Sequence, residues 1–507
     1  MTDPSPLNLV IAGGGTAGWM AAAAMSRFLG SRASITLVES EAIGTVGVGE
    51  ATIPQIHLFV GGLGIDGADL VRETKATYKL GIEFEGWLRP GHRYMHAFGI
   101  VGRAAGIVPF RQLWHKARAE GAAGDFGEYS FNEVAARAER MAIPEGAQNS
   151  PFGLVNAYHF DASLFAVMLR RYAEERGVVR VEGKIEQALR DPETGVLTAL
   201  ALEGDREVEG NFFIDCTGFR SLLLGEALGV GFKDWSTYLP CDRALAVPSE
   251  RSEALRPYTM SMARKAGWQW RIPLQHRTGN GHVYSSEFIS DDEAASILLA
   301  NLDGRALDDP RPLRFKAGQR ELSWSHNCVA LGLSAGFLEP LESTSIHLVQ
   351  SSIARLLTYL PRGSSAPAAR DKFNRVTAKE WEQIRDFIIL HYKANRRVGE
   401  PFWDRCRTME IPATLAEKIA LFEESALLVR DDNELFTEEG WGQVMIGQGI
   451  EPRTYSPLAD SVPSHELAQY LAQLAQTYRR AADALPTHAR FVDSMLANAP
   501  ASKEPVA

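Results

Sequence analysis

Six residues near the start of the chain, Gly13-Gly-Gly15-Thr-Ala-Gly18, limit the possible folds more than any other feature. They lie between an apolar run at 9–12 and an Ala-rich stretch that ends at 29. Glycines spaced G-x-G-x-x-G between a strand and a helix form the turn of a βαβ unit that holds a dinucleotide. Gly13 permits the tight turn, Gly15 lets the backbone approach a pyrophosphate, and Gly18 lets the helix pack against the strand. Thr16 and Ala17 open the helix, whose first amides have no partner inside it and suit phosphate oxygens. A second apolar strand at 34–38 leads into Glu39. That acid stands about 20 residues beyond the last glycine, where ribose hydroxyls are bound. The motif by itself leaves FAD and NAD open.

The rest of the chain narrows the class. Its 507 residues are enough for a substantial core with two or three subdomains. A formal charge of −10, with no basic run, excludes non-specific nucleic-acid binding. No stretch of about 18 apolar residues is present, so no membrane span is expected. Cys216, Cys241, Cys328 and Cys406 are scattered without metal-ligand spacing. No metal is expected, and a reducing cytoplasm fits better than a disulfide framework.

Along the chain, residues 41–81 read as Gly-rich and irregular. A helix is expected over 161–176, strands over 178–213, a strand at 329–333 and a helix over 345–360. Beyond about 370 the pattern is helical, and Trp381, Ile384, Phe387 and Ile388 recur on one apolar face. The expected division is a dinucleotide-binding module at 1–365 with interwoven segments, a helical C-terminal subdomain at 366–497, and a disordered tail at 498–507.

Two later segments favour FAD. Asp215-Cys-Thr-Gly218 resembles the second flavin-contacting turn of large flavoproteins. Gly332-Leu-Ser-Ala-Gly-Phe-Leu-Glu-Pro340 resembles their third contact, with Leu333 where monooxygenases usually carry Asp. Three further motifs join these. Lys79 stands alone in Thr77-Tyr-Lys-Leu-Gly81, Trp268-Gln-Trp-Arg-Ile-Pro273 follows, and Glu339-Pro-Leu-Glu-Ser-Thr344 comes last. Alternation along a strand puts Trp268 and Trp270 on one face. Thr344 and Ser345 fall at the start of a helix, where unsatisfied amides suit an anion, although Ser343 and Thr344 are also ordinary N-caps. A buried lysine can lose its charge and become nucleophilic.

Taken together, these strings resemble the flavin-dependent halogenases of the tryptophan halogenase family, over about residues 8–480. The resemblance implies an α/β, glutathione-reductase-like FAD-binding Rossmann-like fold with an interwoven substrate region and a mostly helical C-terminal subdomain. It implies that reduced flavin and oxygen turn chloride or bromide into hypohalous acid, which travels to an aromatic substrate held elsewhere. Gly49, Glu50 and Ala51 would belong to a strap over the flavin, and Thr344 and Ser345 to the halide site. Trp268 and Trp270 would bar organic substrate from the flavin. Lys79, far from the flavin at the end of a tunnel, would receive the oxidant as a haloamine or through a hydrogen bond. Glu342 would orient the oxidant or take the ring proton. His96 and Phe98 would stack on the substrate.

The free-tryptophan enzymes of the family carry a Tyr-Tyr pair near the amino-acid head group. This chain has Glu438-Glu-Gly-Trp-Gly-Gln443 there, with Trp441 as the candidate contact. Indoles or other small electron-rich aromatics are therefore the expected substrates. Only one dinucleotide fingerprint is visible, so a separate flavin reductase is expected as partner. The competing readings are an aromatic hydroxylase that reduces its own flavin and a flavin-binding relative without catalysis.

Overall fold

The computed structural model describes residues 7–42, 49–143, 153–360 and 367–498. The expected βαβ unit is its organising element. The strand Leu7–Ala12 is central in a six-stranded sheet and pairs in parallel with Ala33–Glu39 on one side and Phe212–Asp215 on the other. Val179–Glu182 and Cys328–Ala330 extend it in parallel, and the short Trp324–Ser325 closes one edge antiparallel. Both edges of the central strand are thus paired with neighbours, and its apolar run Leu9 to Ala12 is fully buried, as a parallel sheet requires. The helix Thr16–Leu29 buries every residue from Gly18 to Ser26. Its small alanines bring the helix close to the sheet.

A second sheet has seven strands, in the order Arg311–Arg314, Arg243–Ser249, Thr278–Tyr284, Gly267–Pro273, Thr259–Arg264, Gly81–Glu85 and Arg93–Ala97. All its pairs are antiparallel except Thr259–Arg264 with Gly81–Glu85. The tryptophan motif is the strand Gly267–Pro273, buried along its whole length. A small third sheet has Ala157–Asp161 in the middle. It pairs with Gly49–Ala51 and Thr77–Lys79, with Glu50 opposite Phe160 and Lys79 opposite Ala157. This sheet fixes the distance between the strap segment and the lysine.

The chain's mixed α/β architecture matches the expected class, with local differences. Residues 49–81 are more regular than the glycines of 41–81 suggested. They include the helices Ile56–Leu63 and Gly67–Glu73. Ile56, Phe59, Val60 and Leu63 give the first a buried face despite Gly61 and Gly62, and Asp66 caps the second through the amides of Ala68 and Asp69. The strand expected at 329–333 ends at Ala330, because Gly332 takes φ +61° into a 3₁₀ turn. The last helix runs His488–Asn498; of the tail expected at 498–507, residues 499–507 lie outside the described residues, as do Gly47 and Val48 of the strap.

The long helix Pro367–Lys393 buries Trp381, Ile384, Phe387 and Ile388 on the expected face. Each of the two larger apolar cores draws side chains from both sides of residue 365, Val10 with Phe387 in one and Leu9 with Tyr478 in the other. The C-terminal helices therefore share their cores with the dinucleotide-binding sheet. Among the described residues no helix is long and apolar enough to cross a membrane.

Candidate active site

A cavity of about 740 Å³ opens at the N-terminus of helix Thr16–Leu29, within the usual size range of cofactor sites. Gly13, Gly15, Thr16 and Ala17 form part of its wall. Gly13 has φ +104°, and a Cβ there would strike the carbonyl of Cys216. Gly18 lies behind the wall, where a Cβ would strike the Gly13 carbonyl. No side chain caps the helix at Gly15, so its first amides face the cavity with their donors free for phosphate. Glu39 lies on the wall across Gly14, anchored by Arg180 Nε at 2.6 Å from Oε1. Gly49, Glu50, Ala51, Gly218 and Leu333 also line this cavity. Burial pushes the Glu50 carboxyl up to about 7.

This glycine cradle, uncapped helix end and wall acid fit a dinucleotide. Asp215 does not take part as expected. It is fully buried behind the wall, where Oδ2 accepts the amides of Leu223 and Leu224 at 3.0 and 2.8 Å, and Oδ1 accepts the Thr217 amide and hydroxyl at 3.0 and 2.7 Å. Its carboxylate organises the turn that puts Thr217 and Gly218 on the wall.

The opposite wall carries Trp270, Leu338, Pro340, Ser343 and Ser345. Trp268 and Trp270 share a face, with ring centroids 6.1 Å apart, but only Trp270 reaches the cavity. Trp268 lies behind it and donates Nε1–H to Glu339 Oε2 at 2.8 Å; Tyr392 donates to the same oxygen at 2.5 Å. Burial pushes the Glu339 carboxyl up to about 7 against these two bonds. Glu339 was not foreseen, and it fixes the inner tryptophan.

The helix Ser345–Tyr359 starts at this wall. Thr344 is its N-cap residue, and no side chain caps it. Ordinary capping, the alternative reading of Ser343 and Thr344, does not occur. Ser345 lies on the wall and Thr344 is buried beside it. Ser343 ends the 3₁₀ turn Pro340–Glu342 at φ +59°, a conformation that costs a non-glycine residue on the order of 1 kcal/mol. That backbone turn sends Ser343 to the cavity and Glu342 away from it.

Behind this wall lies a second buried group of residues. Lys79 is fully buried, and its Nζ donates to Ser343 Oγ at 2.7 Å. It lies off the cavity wall, and Ser343, which lines that wall, is its hydrogen-bond partner. Its Nζ stands 5.3 Å from the centre of the Phe98 ring. Burial lowers the Lys79 pKa to about 7, against the attraction of Glu342. Glu342 is also buried. His96 Nδ1 lies 2.8 Å from Oε2, and His391 Nε2 lies 2.7 Å from Oε1. Burial alone would raise its pKa; the two histidines outweigh burial and hold it down to about 2. A carboxylate held ionised beside a lysine of variable charge can orient a polarised small molecule and accept a proton.

His96 is therefore foremost the partner of Glu342. Phe387 stands between it and Trp441, 5.4 Å from the His96 ring and 4.7 Å from the Trp441 ring, and stacks on Phe436 at 3.8 Å. Trp441 is packed as core. Its Nε1 donates to Glu434 at 2.7 Å, and Lys418 both covers its ring and pairs with Glu434. His391, Tyr94 and Ser343 were missed from sequence. His391 continues the spacing of Trp381, Ile384, Phe387 and Ile388, so the helical period already placed a histidine on an apolar face.

The comparisons with known proteins agree with one another. The family description "Tryptophan halogenase" matches residues 8–464. The tryptophan 6-halogenase SttH of Streptomyces toxytricini is 36% identical over 83% of this chain and 84% of its own. A solved flavin-dependent halogenase from Xanthomonas campestris superposes with a TM-score of 0.94 at 48% identity, covering 96% of this chain and 98% of that one. Another, BrvH from a Brevundimonas species, gives 0.93 at 44% identity over 97% and 100%.

Proposed function

The chain belongs to the tryptophan halogenase family, and from that premise we propose that its two adjoining sites halogenate a simple indole or another small electron-rich aromatic rather than tryptophan. It is a flavin-dependent halogenase, an oxidoreductase that uses FADH₂ and a halide, chloride or bromide. Enzymes of this kind generally take reduced flavin from a separate reductase and act on an aromatic substrate. The single dinucleotide fingerprint supports that dependence here. Four free cysteines, three of them buried, support a cytoplasmic location.

Gly13, Gly15 and the free amides at Thr16 and Ala17 would hold the pyrophosphate of FAD, Glu39 its ribose, and Gly49 to Ala51, Gly218 and Leu333 the remaining length. Bound reduced flavin supplies, with oxygen, the oxidising equivalents that turn halide into hypohalous acid. The uncapped helix end at Thr344 and Ser345 offers the halide partial positive charge. Trp270 excludes organic substrate from the cavity, and Trp268, held by Glu339, backs it. Lys79 receives the oxidant through the Ser343 position. With a pKa near 7, both its amine and its ammonium form are available at neutral pH. Glu342 orients the oxidant against the ring and accepts the ring proton. Phe98 and His96 supply the aromatic surface.

The observation that carries this reading is the buried Lys79–Ser343 bond beside Glu342, directly behind the wall of a dinucleotide cavity. The substrate assignment rests on the head-group region. It has no Tyr-Tyr pair, and its charges at Glu434 and Lys418 are spent on each other and on Trp441. In a competition between indole and tryptophan at equal concentration, read by product mass, halogenated indole is the expected main product. A strong preference for tryptophan would overturn the substrate assignment.

A further inference from the structure

Glu342 is held by two histidines that enter from different elements. His96 comes from the strand Arg93–Ala97, and His391 from the helix Pro367–Lys393. They take one oxygen each, at 2.8 and 2.7 Å. The His391 contact decides the arrangement. Both His391 Nε2 and Glu342 Oε1 are buried and, among the described residues, neither forms a regular hydrogen bond; their 2.7 Å approach to one another is a close polar contact. Two bare lone pairs 2.7 Å apart repel one another, so a proton must lie between these atoms.

The other ring nitrogen is compatible with one simple assignment of that proton. His391 Nδ1 lies 2.8 Å from the Tyr94 hydroxyl, two residues before His96 on the same strand face. With Tyr94 donating to Nδ1, His391 is neutral, carries its hydrogen on Nε2, and donates it to Glu342. In that assignment the Nε2 hydrogen is the one available to Oε1, and the carboxylate stays ionised. Phe84 stacks on His391 at 4.4 Å and keeps the ring from turning. The charged and titratable groups facing Glu342 are thus Lys79 from the strand Thr77–Lys79, His96 and, through His391, Tyr94 from Arg93–Ala97, and His391 from the long helix.

We propose that the Tyr94–His391 pair is the positioning device for Glu342: it fixes the direction of Oε1 and keeps that carboxylate anionic, so that it can take the ring proton at neutral pH. The proposal rests on the reading of Glu342 given above. His391 acts only through Glu342 and is a positioning residue, comparable to a carboxylate that fixes the tautomer of a metal-bound or catalytic histidine, with the roles exchanged.

The test is the pH profile of indole bromination between pH 5.5 and 8.5, with FAD affinity measured in parallel by flavin fluorescence. His391→Phe removes the donor, and burial then raises the Glu342 pKa into the measured range. Its activity at pH 6 relative to pH 8 should fall at least about tenfold below the same ratio in the wild-type enzyme. His391→Gln retains an N–H donor that does not titrate, and should hold the wild-type profile. Tyr94→Phe frees the tautomer and should shift the profile in the same direction by less. If His391→Phe loses FAD and does not fold, Tyr94→Phe decides alone. An unchanged profile in a variant with normal FAD affinity overturns the proposal. Glu342→Gln separates the two failures. If it is inactive while His391→Phe keeps the wild-type profile, only the role of His391 falls. If Glu342→Gln is fully active, the role of Glu342 falls first.

Discussion

Replacing Lys79 by methionine is expected to abolish ring halogenation while leaving FAD binding and the oxidation of bound FADH₂ near the wild-type level. Lys79 lies off the cavity wall, so its loss removes no cofactor contact. Methionine keeps most of the volume but offers neither an amine nor an N–H donor to an incoming oxidant. Hypohalous acid or peroxide should then leak from the protein and be caught by a soluble trap. The fold should also survive. Burial lowers the Lys79 pKa from 10.5 to about 7. Between those two values the unfolded chain holds a proton that the folded one has released. The group's destabilising effect is therefore full below about pH 7 and disappears above 10.5. Methionine removes that cost and loses one hydrogen bond to Ser343. At pH 7 the melting temperature should stay at or above that of the wild type. Normal product yield in Lys79→Met would contradict the two-site account, and loss of FAD binding would make Lys79 a structural residue.

Glu342→Gln should lower halogenation by about 10²-fold or more, with FADH₂ oxidation again retained. The amide keeps the shape but cannot accept the ring proton. It also presents an NH₂ group to one of two histidines that now approach carboxylate oxygens. Because the histidines hold the wild-type carboxyl down to about 2, Glu342 is ionised throughout the neutral range. The loss should accordingly be the same at pH 6 and pH 8. Product formation and flavin oxidation measured in one reaction give both quantities. A loss of less than about threefold would remove Glu342 from the proton-transfer step.

The dinucleotide half of the molecule was legible because backbone geometry dictates its residues. Gly13 and Gly18 are required by a positive φ and by helix–strand contact, and no other residue type fits. Asp215 shows where that reasoning stops. An acid at a strand end can face a ligand or fold back onto local amides, and spacing does not distinguish the two. Here it turns back to Leu223 and Leu224. The pair Gly61-Gly62 hid a helix whose other residues had the right apolar spacing.

The second site was legible only through the resemblance. Lys79 in isolation reads as a surface residue, and nothing local shows that the strand Ala157–Asp161 will bury it. Ser343, Tyr94 and His391 converge from positions up to about three hundred residues apart, a proximity created by tertiary packing. Trp441, read from the sequence as a substrate contact, is pinned to Glu434.

The central claim is that oxidising power generated in one cavity is used on an aromatic ring in an adjoining buried site. The most direct test supplies the wild-type protein with reduced FAD, oxygen, bromide and indole, and weighs the product. The account predicts brominated indole that forms only when bromide is present. Hydroxylated indole whose yield does not depend on bromide would contradict it.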